Sequence, residues 1–226
     1  MNHACSRLDA LIAGKSLLKH PFYQAWTAGT LTREDLAHYA RQYYAHESRF
    51  PRCVSAVHSN CPDAAVRKVL VENLSHEEGG AESHPEMWLR FAGAVGADRA
   101  SVLNAAAHAK TGECVKAFDR LSRGSWQAGL AALYAYEAQQ PEVAKTKIAG
   151  LKSRYGLESD DALDFFRAHE TADAWHSRSE RGILKAELER DPSLAPKLEA
   201  AASEACDALN ALLDGVCEAR GLACAC

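Results

Sequence analysis

The chain has no run of about eighteen apolar residues, so it offers no segment that a bilayer would accept as a spanning helix. Its first twenty residues, MNHACSRLDALIAGKSLLKH, lack the apolar core of a secretory signal. There is no basic stripe with interleaved aromatics, and the formal net charge is −4, which makes nucleic acid and anionic membrane poor partners. Val and Ile are scarce, and nothing alternates with period two for long, which argues against sheet. None of the eight cysteines forms a C-x-x-C pair, and their spacing is irregular. These absences predict a soluble, cytoplasmic protein with free thiols, the apolar-flanked ones buried. The Cys-rich tail at 217–226, CEARGLACAC, clusters three cysteines; a soft metal or a cross-link is conceivable there, and a frayed end with oxidisable thiols is the plainer reading.

What is present is Ala, Leu and helix punctuation. With 47% apolar residues, 226 residues suit one domain over 1–226. LTREDLAHYARQYYAHESRF begins with Thr32 as N-cap and Asp35 three residues on, a capping-box-like start; Leu36, Tyr39, Tyr43 and Phe50 share a stripe, and Pro51 ends or kinks the helix. A helix after Cys61 runs to Gly79-Gly80, and another opens at Ser83 with Pro85 in its first turn. RASVLNAAAHA and ECVKAFDRLSRG read as two further helices. A long pattern from Ser125 breaks at Pro141, and the turn LESDD precedes the next helix. APKLEAAASEACDALNALLDGVCEARG closes the chain. The expected architecture is all-α, a compact bundle of seven to nine helices, in which sites are built between facing helices.

Three segments carry chemistry. AHETADAWHS places His169, Asp173 and His176 four and three residues apart, on one helix face beside Phe165, Phe166 and Trp175. Such a group is either a hydrogen-bonded structural cluster or a metal site, since imidazole and carboxylate suit iron, manganese and zinc. Glu137 lies in the apolar helix ALYAYEAQQP, where an unpartnered carboxylate is costly; it needs either a buried Arg or Lys or a metal. ENLSHEEGGAESHPEMW supplies His84 with Glu77 or Glu78. The two glycines disturb the helical path, so periodicity does not choose between the glutamates, and His76 is a further competitor. Three carboxylates and three imidazoles from separate helices are enough for two ions, and the absence of thiolate favours Fe or Mn over a structural zinc site.

The segments HPFYQAW, LTREDLAHYARQYYAHESRFPR, ALYAYEAQQPEVAKTKIAGLKSRYG and FFRAHETADAWHS resemble the haem-oxygenase-like dimetal oxidases. They are most similar to the chlamydial death-domain-associating type, which act as para-aminobenzoate synthases on an alternative route to folate. The likeness spans roughly residues 15 to 215. It implies a haem-oxygenase-like fold, related to quinone-forming oxidases and thiaminases, and metal ligands Glu77, His84, Glu137, His169, Asp173 and His176. It also implies a protein that is its own substrate: Tyr23 gives the ring, Lys147 is the amino donor, and Tyr43 is a nearby tyrosine through which oxidation passes. Two Fe ions, or an Fe/Mn pair, would act with O2 and an external reductant. A conventional dinuclear iron oxygenase acting on an external small molecule is the alternative, and a death-domain-binding protein is another. Helix SWQAGLAALYAYEAQ has no nucleophilic cysteine, which ranks the thiaminase chemistry low. A homodimer and an electron-donor protein are the expected partners. Arg52, beside Pro51, is a candidate to hold a carboxylate product.

Overall fold

The computed structural model describes residues 3–222, and among them no strand occurs. Twelve α-helices follow one another: α1 (His3–Gly14), α2 (Pro21–Ala28), α3 (Arg33–Glu47), α4 (Phe50–Asn60), α5 (Ala64–Glu78), α6 (His84–Ala94), α7 (Arg99–Leu103), α8 (Ala109–Arg123), α9 (Trp126–Glu137), α10 (Gln140–Tyr155), α11 (Asp160–Arg190) and α12 (Ala195–Arg220). The all-α bundle is as expected. The count exceeds seven to nine because the chain turns where the sequence suggested a kink, and because the N-terminal segment holds two helices of its own.

The helix ends follow local chemistry. Thr32 and Asp35 form a complete capping box on α3; Asp63, Ser83, Ser125 and Ser159 cap α5, α6, α9 and α11 through side-chain oxygens. Pro51 and Pro141 fall in the first turns of α4 and α10, where no amide hydrogen is missed. One expected helix is shorter. RASVLNAAAHA stays helical only to Leu103, and residues 105–108 then form a loop before α8. Buried Gln42 is the reason: it donates to the Ala106 carbonyl at 3.0 Å and accepts from the His108 amide at 2.9 Å and the Thr111 hydroxyl at 3.0 Å. These bonds satisfy the loop backbone and override alanine propensity.

Helix α9 is buried on every side except at Gln127, as a central helix must be. It packs against α4, α8, α11 and α12; α11 in turn packs against α5, α6 and α10. At Gly150, a Cβ would meet Trp26 Cδ1 and Nε1 at 2.6 Å, so only glycine lets α10 approach α2 this closely. The six cysteines Cys5, Cys53, Cys61, Cys114, Cys206 and Cys217 are buried and outside any disulfide. Cys217 belongs to α12 rather than to a frayed end; Cys224 and Cys226 lie outside the described residues. Arg52 is exposed and does not face the interior.

Candidate metal centre

The six acidic and imidazole residues expected to converge do so. Ligand atoms of Glu77, His84 and His169 lie within 4.8 Å of one another, as do those of Glu77, Glu137, Asp173 and His176. Glu77 is common to both groups. All six are at most 4% exposed. They come from α5, α6, α9 and α11. Between α5 and α6 the helical path is not kept: Gly80 takes φ +78°, and the turn brings His84 Nδ1 to 3.1 Å from Glu77 Oε1. Glu78 is exposed, so Glu77 is the inward residue. His76 is exposed too, and its Nδ1 is hydrogen-bonded to His176 Nε2 at 2.8 Å, which leaves His176 Nδ1 facing Asp173 at 3.3 Å and Glu137 at 3.4 Å. Asn73 donates to Glu137 Oε1 at 2.8 Å; the partners of Glu137 are thus Asn73 and His176, not a buried Arg or Lys.

The electrostatics suit a cation. Burial drives the Asp173 carboxyl up to about 8, aided by Glu137 and Glu77 and opposed by His176. Burial alone would lower His176, but Asp173 and Glu137 outweigh it and hold the imidazole at about 10. The same contest raises His84, where the Glu77 carboxylate wins over burial. His169 is pushed well below its ordinary value by burial and by His84. Its Nδ1–H donates to the Phe165 carbonyl at 2.8 Å, which leaves Nε2 bare toward the centre, the tautomer a metal requires. Glu77 Oε2, Glu137 Oε2 and Asp173 Oδ2 are buried with no hydrogen-bond partner, and Glu77 Oε1 has only the ion pair with His84. A dry interior does not leave that many carboxylate oxygens unpaired without a cation, and a donor set of nitrogen and oxygen alone suits iron or manganese. The residues therefore fit a two-ion centre.

Two further carboxylates, missed in the sequence, stand beside it. Glu47 ends α3 and is 1% exposed; its Oε1 is 4.0 Å from His169 Nε2, and Oε2 accepts from the Tyr136 hydroxyl at 3.3 Å. Burial, with Glu77 adding to it, raises Glu47 to about 8. Glu180, also 1% exposed, is raised well above the carboxylate range by burial and by Glu137. Glu180 continues the inward row of His169, Asp173 and His176 by one more turn, a signal the spacing offered. Glu47 offered none, because AHESRF reads as a polar helix end.

A second constellation adjoins the centre. Lys147 is 1% exposed, and its Nζ lies 5.0 to 5.5 Å from the ring centroids of Phe166, Tyr39, Tyr43, Tyr23 and Trp88. The Nζ donates to the Tyr39 hydroxyl at 2.7 Å, and that hydroxyl is 3.3 Å from the Tyr23 hydroxyl. Burial lowers the Lys147 ammonium to about 7 against the favourable field of Glu47. Burial also raises the Tyr23 phenol. Tyr43 lies between this group and the centre: its hydroxyl donates to the Tyr136 hydroxyl at 3.0 Å, and Tyr136 donates to Glu47. Tyr39, not Tyr43, is the residue hydrogen-bonded to both Tyr23 and Lys147. The Tyr39 and Tyr43 rings are 5.3 Å apart, so aromatic and hydroxyl contacts run without a gap from Tyr23 to Glu47.

Fold and centre together define an all-helical protein whose interior can hold metal ions between four helices. The profile of the iron-containing redox enzymes matches residues 37–210, and the chain belongs to that family. A protein of Nitrosomonas europaea named 4-aminobenzoate synthase is 42% identical over 222 residues, covering 94% of this chain and 90% of its own. One of the same name from Chlamydia muridarum is 41% identical over 217 residues, covering 94% and 89%. Among solved structures, a TenA homologue of Pseudomonas syringae superposes with a TM-score of 0.80 at 15% identity, covering 96% and 90%. A CADD-like protein of Nostoc punctiforme gives 0.77 at 18% identity, covering 96% and 97%. The fold is haem-oxygenase-like.

Proposed function

We propose that this chain is a 4-aminobenzoate synthase that consumes itself: Tyr23 provides the aromatic ring, Lys147 provides the amino nitrogen, and the product serves folate synthesis. One observation carries the reading. A buried amine, a tyrosine hydroxyl and a second tyrosine hydroxyl form one hydrogen-bonded chain, Lys147–Tyr39–Tyr23, with the amine 5.3 Å from the Tyr23 ring centroid. A lysine placed there solely for packing has no need of an ammonium among five rings. The names of the relatives support 4-aminobenzoate as the product.

The side chains divide the work. Glu77, His84, Glu137, His169, Asp173 and His176 would hold two iron ions, or an Fe/Mn pair, and the ions would supply oxidising chemistry with O2 and an external reductant. Burial keeps a fraction of the Lys147 amine unprotonated near neutral pH, and only that form is a nucleophile. Tyr39 is a positioning residue: its hydroxyl accepts from Lys147 and can donate to Tyr23, fixing amine and phenol relative to each other. The aromatic walls exclude water, which protects a reactive ring from side reactions.

Apoprotein loaded with iron(II), a reductant and oxygen should release 4-aminobenzoate, at most one per chain. Tyr23→Phe should release none, and protein carrying 15N-lysine should give 15N product. Undiminished product from Tyr23→Phe would refute the self-consuming reading. A groove of about 790 Å³ beside His76 and His84 favours one alternative, a dinuclear iron oxygenase acting on an external small molecule. Product well above one per chain would favour it.

A further inference from the structure

We propose that Glu47 is an additional ligand of the metal centre, completing the coordination of the ion held by Glu77, His84 and His169. The inference rests on the two-ion reading above and adds a residue to it. Glu47 is 1% exposed, and its Oε1 has no hydrogen-bond partner. The hydroxyl of Tyr136 occupies Oε2 only, so one oxygen is anchored and the other is left facing the centre. That other oxygen is 4.0 Å from His169 Nε2, the ring nitrogen left bare by the hydrogen bond to Phe165. Two ligand atoms that each sit about 2 Å from a shared ion end up about 3–4 Å apart, which is this spacing.

Counting ligands leads to the same residue. One group offers four side chains, Glu77, Glu137, Asp173 and His176, whereas the other offers three, Glu77, His84 and His169. Glu47 lies outside that 4.8 Å grouping, next to His169, and on binding the ion it would make the two equal. A carboxylate buried beside Glu77 and Asp173 meets two like charges, an arrangement that persists in a protein interior when a cation lies between them. A plain structural role as acceptor for Tyr136 would need one oxygen and would not need the second aimed at an imidazole.

The test uses the full chain, prepared without oxygen. Crystals soaked in manganese(II) should show two anomalous peaks, with a Glu47 oxygen about 2 Å from the one bound by His84 and His169. In equilibrium dialysis against manganese(II), Glu47→Gln should keep one site at wild-type affinity and weaken the other by about 10- to 100-fold or more. The isosteric amide is checked for folding by circular dichroism, and the wild-type map decides the matter if the variant does not fold. Two peaks with both Glu47 oxygens out of bonding distance of either ion, and a variant that binds both ions as wild type does, would overturn the assignment while leaving the six-residue centre intact. A wild-type map with no ion at those six residues would overturn the underlying reading as well.

Discussion

Lys147 sits among rings and hydrogen-bonds a neutral hydroxyl, so desolvation decides its charge. The folded protein releases its proton near pH 7, whereas an unfolded chain holds it to about 10.4. Between those values the unfolded state binds more protons, so this residue makes stability rise with pH. Below about pH 7 both states are protonated, and the contribution is constant. Lys147→Met keeps the length and removes the titration. Denaturant melts of the two proteins from pH 7 to 9.5 should diverge, wild type gaining up to about 1.4 kcal/mol per pH unit relative to the variant. Parallel stability curves would mean that the amine stays protonated when folded and is no nucleophile at neutral pH. A single lysine thus ties a stability measurement to a chemical role, and neither could be read from AKTKIAGL, where Lys145 and Lys147 look alike.

Helices place these residues, and their contacts set tolerances. Trp26 is wholly buried, its ring 5.9 to 6.1 Å from Phe22, Tyr39 and Tyr155, and its Nε1 donates to the Lys147 carbonyl at 3.3 Å. With rings on these sides it has little room to yield to a methyl group at Gly150. Gly150→Ala should therefore lose about 1–3 kcal/mol to overpacking, more than the helix-propensity gain of up to about 1 kcal/mol. Gly182→Ala on α11, where nothing lies within 4 Å, should be neutral or stabilising. Thermal melts of the two variants check the contrast, and equal melting points would show that α2 and α10 are not rigidly docked. Much at this scale was legible in the sequence. Thr32 and Ser83 marked helix starts through local hydrogen bonds, which spacing reveals. The early end of α7 was not legible, because the bonds that cause it come from Gln42, more than sixty residues away. Glu77 over Glu78 needed the family likeness, because a glycine turn breaks the period on which spacing arguments depend.

Across the whole molecule, folding concentrates acid where there is no water. His169, Asp173 and His176 were visible as one face of one helix, but Glu47 enters from α3, and only the packing of the bundle reveals it. Glu47 and Asp173 have folded values near 8 and unfolded values near 4, so the folded protein without metal binds more protons than the unfolded chain in between. Glu180, His84 and His176 are raised as well. Each raised group supplies stability that is lost as pH climbs toward its folded value. Lys147 works the other way above pH 7, and the lowered imidazoles of His46 and His169 act only up to about 6.5. From pH 6.5 to 8 the falling contributions dominate, so the metal-free protein should melt lower at pH 8 than at 6.5. Metal reverses this dependence, because an ion replaces the protons on His84, His176 and the carboxylates, and its binding strengthens as those protons leave. At a hundredfold excess over Kd, each manganese(II) site adds about 2.7 kcal/mol, or about 5–10 °C in Tm for a chain of this size. The rise in Tm on adding manganese(II) to chelator-treated protein should be larger at pH 8 than at pH 6.5, and Asp173→Asn should narrow the difference. An equal rise at both pH values would mean that the ions bind at an exposed site, away from these buried acids.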